Sequence, residues 1–111
     1  MFRNSPGKLK VYASASAPHR KRLQSVRTAT EETARRLKLD FEMIDFGKRV
    51  SQIYVYYENG DDEPIPIYCD EGKQFDLEEI SANLKKMMFV LSFHPRYLAL
   101  RKMRPELMAA S

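Results

Sequence analysis

The chain carries one cysteine, Cys69, and no tryptophan. A single thiol excludes an internal disulfide and removes the attacking and resolving pair that dithiol chemistry requires. It also points to a reducing compartment, so a cytoplasmic protein is expected. Glycine is scarce: four residues scattered along 111 leave no phosphate-cradling loop, dinucleotide fingerprint or hydrolase elbow. No apolar run approaches the roughly 20 residues that span a bilayer. Residues 1–7 lack the apolar segment of a secretory signal. The two histidines, His19 and His94, lie far apart, and with one cysteine they form no metal-ligand spacing. The expectation is no metal, no cofactor and no membrane partner.

What is present is a normal complement for one small core. Hydrophobic residues make up 43% of the chain and charged residues 31%. This fits a disordered segment over 1–7 and a single compact domain over 8–111, with a C-terminal helical extension at 95–111. The net charge of +4 conceals a partition, because residues 1–38 carry +8, residues 39–80 carry −9 and residues 81–111 carry +5. Such a molecule is dipolar rather than uniformly basic, which weakens a nucleic-acid footprint.

Periodicity orders the elements. Leu9, Val11 and Ala13 alternate with Lys10, Tyr12 and Ser14, the period of a strand. Pro18 suits a first helical turn, and Leu23, Val26, Thr30, Ala34 and Leu37 then form one stripe as far as Lys38. Asp40 to Phe46 reads as a second strand, completing a right-handed βαβ unit. Gln52 to Glu58 and Pro64 to Cys69 flank Asn59-Gly60, a strong hairpin signal. Pro64 and Pro66 both lack an N–H on the same side, which makes Pro64–Cys69 an edge strand. Asp76 and Glu79 read as the cap of a helix whose buried stripe is Leu77, Ile80, Leu84, Met87, Met88 and Leu91. A last helix is expected from Pro95 to about Met103, bent or ended by Pro105.

Tyr12 to Arg22, YASASAPHRKR, resembles the Y-T-x-x-x-C-P-Y-C-K-R segment of the thioredoxin/glutaredoxin family. LDFEMIDF at 39–46 is similar to that family's second strand. The resemblance spans residues 8–91 and implies an α/β fold, β-α-β-β-β-α, with a four-stranded mixed sheet in the order 2-1-3-4. It also marks departures. Ala17 and Arg20 stand where the redox cysteines belong, Val50-Ser51 where a cis-proline belongs, and no helix fits between the second and third strands. So short a link leaves an α+β alternative open, with those two strands as direct neighbours.

Alternation assigns Leu9, Val11, Ala13, Ile53, Val55, Tyr57, Ile65, Ile67 and Cys69 to the core face. Tyr12, Tyr54, Tyr56 and Tyr68 collect on the opposite face, which the missing helix leaves without its usual cover. Either the C-terminal helix covers them, or they form a contact surface for another protein or a second copy of the chain. A second candidate is the strand-to-helix junction. There Ser14, Ser16, His19, Arg20 and Lys21 surround a helix N-terminus suited to an anion, or simply cap it. Cys69 reads as a buried structural residue. Asp40, Glu42, Asp45 and Lys48 are a weak match to a metal-dependent nuclease. No complete catalytic set emerges. The expected function is a non-catalytic binding module without redox activity. The alternative is a nucleic-acid binder stacking bases on Tyr54 and Tyr56, with Lys10, Arg20, Arg27 and Arg35 on phosphates.

Overall fold

The computed structural model describes residues 7–14, 20–45, 52–60, 63–70 and 76–110. Strand β1 (Lys8–Ala13) leads through helix α1 (Arg20–Arg36) to strand β2 (Asp40–Asp45). Strands β3 (Ile53–Glu58) and β4 (Ile65–Asp70) form the hairpin, and α2 (Leu77–Leu91), α3 (Leu98–Lys102) and α4 (Arg104–Ala110) follow. The sheet order is β2-β1-β3-β4, with β1 parallel to β2 and antiparallel to β3, and β4 antiparallel to β3. This is the mixed α/β layout expected. The α+β alternative fails because β1, not β2, is the neighbour of β3. The proline-bearing strand lies at the edge, and Gly60 takes a positive φ of 90° in the turn.

Every second residue of β1 and β3 turns inward, and Leu9, Val11, Ala13, Ile53, Val55 and Tyr57 are all buried. Both long helices lie over that face. Val26, Ala29, Thr30, Thr33 and Ala34 of α1 and Ile80, Leu84 and Met88 of α2 close the core between them. The chain enters β1 through Gly7, whose φ of 143° suits glycine. A Cβ there would stand 2.5 Å from the Glu58 carbonyl oxygen, while the Gly7 carbonyl accepts from the Asp40 amide at 3.0 Å. These contacts hold Gly7 at the start of β1, and residues 1–6 lie outside the described residues.

The C-terminal region holds two short helices in place of one. Pro105 is the second residue of α4, where its missing N–H costs nothing, so it helps start that helix. Both helices pack on α2, and Leu100, Met103 and Leu107 join the core. Arg104 fastens them there. Its Nη2 donates to the Ser92 carbonyl at 2.8 Å, its Nε to Ser92 Oγ at 3.2 Å, and its guanidinium lies 3.9 Å from the Phe93 ring centre. No described helix crosses to the other face of the sheet.

Candidate interaction face of the sheet

The open face is built on the register of β1 and β3, which sets Tyr12 opposite Tyr54, Lys10 opposite Tyr56 and Lys8 opposite Glu58. Inward neighbours fix both strands, so the outward side chains stand on a rigid floor. The Tyr12 and Tyr56 rings meet edge to face, 5.3 Å apart at 78°. Lys10 Nζ lies 3.1 Å from Glu58 Oε2, and Tyr12 OH donates to the same oxygen at 3.4 Å. The Glu58 hydrogen bond raises the Lys10 pKa and so favours the ammonium form. Burial, ahead of the mixed effects of Lys10 and Glu58, raises that of Tyr12. On the far side Lys8 pairs with Glu42 of β2 at 3.5 Å. Tyr12, Tyr54 and Tyr56 are each half-buried by their neighbours on this face.

Tyr68 does not join them. A bulge in the β3–β4 ladder shifts the pairing, so that Val55 opposes Tyr68 while the next residue, Tyr56, opposes Pro66. Ile67 is the extra residue, and beyond it the alternation of β4 is reversed. Tyr68 and Asp70 turn toward the helices, and Cys69, expected in the core, is exposed. The Tyr68 hydroxyl is buried with no hydrogen-bond partner among the described residues. Burial, reinforced by the Asp70 carboxylate, pushes its phenol up to about 12.

The strand-to-helix junction is only partly visible. Ser14 is buried, Arg20 and Lys21 are exposed, and Ser16 and His19 lie outside the described residues. Arg22, which continues that basic run, turns inward. Its Nε lies 3.4 Å from Oδ1 of Asp70, whose side chain is 3% exposed. Alternation alone could not find this pair, because the bulge decides which way Asp70 faces. Arg20, Arg27 and Arg35 are exposed on α1, on the opposite side of the sheet from Tyr54 and Tyr56. On β2, Glu42 of the weak nuclease set is held by Lys8, and Lys48 lies outside the described residues. Among the described residues no group of three or more His, Cys, Asp or Glu side chains is placed to hold a metal ion. None of the described helices is long and apolar enough to cross a membrane.

No family model, curated protein or solved structure matches this chain. Its function is therefore argued from the geometry.

Proposed function

We propose that this chain is a cytoplasmic, non-catalytic binding module of thioredoxin-like type that holds another protein against its open sheet face. Tyr12, Tyr54 and Tyr56 are the contact residues. The observation that carries this reading is a sheet face with three half-buried tyrosines and no described helix over it. Tyrosine presents a large apolar ring with a polar tip, and it loses little freedom when its base is already held by packing. The neighbouring charges suit a protein partner as well. Lys10 and Glu58 satisfy one another, so covering them strands neither.

Nucleic acid is the weaker reading. The arginines of α1 and the tyrosines lie on opposite sides of the sheet, so one strand cannot stack and be neutralised by both sets. Lys10, the cation beside the tyrosines, is engaged by Glu58. The absence of thiols at Ala17 and Arg20 supports a role without redox turnover.

The test compares what immobilised wild type and the double variant Tyr54→Ser/Tyr56→Ser retain from a native extract, at low and at high salt. The proposal expects a protein that survives about 0.5 M salt and is lost from the variant. Retained nucleic acid that dissociates steeply with salt contradicts it. So does an identical set of proteins on both.

A further inference from the structure

We propose that the groove between α2 and α4 is a binding site for a single-chain anionic amphiphile, a medium-chain carboxylate taken up from solution. It lies apart from the tyrosine face and does not depend on that reading. The described large hydrophobic side chains that remain exposed are Met43 and then Met87, Val90, Phe93, Leu98 and Met108, so all but one fall in the C-terminal region. The same region, residues 81–111, carries a net charge of +5. Of these exposed side chains Met108 lines the groove, across from Lys85 and Lys86 of α2.

The groove encloses about 440 Å³ and is lined by Ala82, Lys85, Lys86, Phe89, Leu107 and Met108. This volume falls in the ordinary range of small-ligand sites, about 300–1,000 Å³. Leu107 closes the floor at 1% exposure, while Met108 is 60% exposed and supplies an adaptable apolar wall. Both charged side chains in the lining are lysines, and none is a carboxylate. The neighbouring groove between α1 and α2 is different in kind: it encloses about 320 Å³, and Glu32 and Glu78 share it with Arg36 and Lys85. The α2–α4 groove thus combines an apolar trough with charge of one sign.

Geometry limits the ligand. From Ala82 to Phe89 the helix advances roughly 10 Å, which matches an extended hydrocarbon of about eight carbons. The stem of Lys86 can cover part of such a chain while its ammonium reaches the carboxylate at the solvent edge.

Titration of the ¹⁵N-labelled full chain with hexanoate, octanoate and decanoate, all below micelle-forming concentrations, tests the site. Saturable shifts centred on Ala82, Phe89 and Met108 are expected, with affinity rising about two- to fourfold per added methylene. Lys86→Glu should weaken decanoate binding about fivefold, and Met108→Glu by about tenfold or more. Both positions are exposed, and unchanged circular dichroism checks that the variants are folded. The proposal is overturned by the absence of saturable shifts, or by affinity that ignores chain length. Equal binding of decyltrimethylammonium, shifts centred on the tyrosine face, or binding to anionic vesicles alone overturn it equally. The chain-length series uses only wild type, so the test stands even if a variant misfolds.

Discussion

At the scale of single residues, the reversal around Ile67 decides most of what is distinctive about the β4 edge. It puts a phenol where a thiol was expected and a thiol where a phenol was expected. Two outcomes follow for measurement. Cys69 should react with an aromatic disulfide reagent in the folded protein, at a rate that denaturant changes little, because it is exposed. The same protein should show no turnover in an insulin-reduction assay, since one thiol cannot both attack and resolve. Tyr68 carries a pH signature. Its folded phenol is raised from 10.0 to about 12, so between those values the unfolded chain is ionised and the folded chain is not. Stability should therefore hold up to about pH 10 and fall as pH rises toward about 12. Tyr68→Phe should lessen that decline, leaving the shares of Tyr12 and Lys10, whose pKa values are also raised, as followed by denaturant unfolding across the pH range. It should cost little at neutral pH, because the hydroxyl it deletes is buried without a partner among the described residues. Asp70→Ala, by contrast, leaves the Arg22 guanidinium without this carboxylate. A loss of about 2–3 kcal/mol is expected, below the 3–5 of fully buried pairs because the Arg22 side chain keeps 18% of its exposure.

At the scale of elements, periodicity was most legible where one side of an element faces the core and the other faces water. The stripe of α1, the alternation of β1 and β3, and the edge position of β4 are found where the pattern places them; in the α2 stripe Ile80, Leu84 and Met88 are buried, while Met87, expected with them, is exposed. The α2 cap is also as read, with the Glu79 amide donating to Asp76 Oδ1 at 2.8 Å. Asp76→Ala should cost about 1 kcal/mol in thermal or denaturant unfolding. What was not legible depends on partners distant in sequence. A bulge is a property of two strands together, and nothing in Ile65–Asp70 alone announces it. Pro105 reads equally well as a helix stop or a helix start until the α3–α4 junction is seen. The end of α1 is a third case. Lys38 has a φ of 59°, with its amide bonded to the Arg35 carbonyl at 3.2 Å and the Leu39 amide bonded to that of Ala34 at 2.7 Å. That is a Schellman ending with lysine in the left-handed position glycine prefers. Lys38→Gly should stabilise the protein by about 0.5–1 kcal/mol, read from the denaturation midpoint at unchanged slope.

At the scale of the whole molecule, the blocks of charge along the chain become separate surfaces. The basic outer side of α1 lies on one side of the sheet, while Glu42 of β2 and Glu58 of β3 are matched to Lys8 and Lys10 of β1 on the other. The tyrosine face is thus electrically quiet and aromatic, which suits a protein partner better than a polyanion. How the tyrosines were to be covered was the largest question the sequence left open. The packing of α3 and α4 on α2 answers it, because Leu100, Met103 and Leu107 spend their apolar surface there. The most direct measurement compares, in Tyr54→Ser/Tyr56→Ser, unfolding free energy with affinity for the protein that wild type retains. A surface role predicts a stability change within about 1–2 kcal/mol, most of it the lost Tyr12–Tyr56 contact, and affinity reduced by about tenfold or more. Loss of several kcal/mol of stability with affinity intact would show that these tyrosines belong to the fold and not to a binding surface.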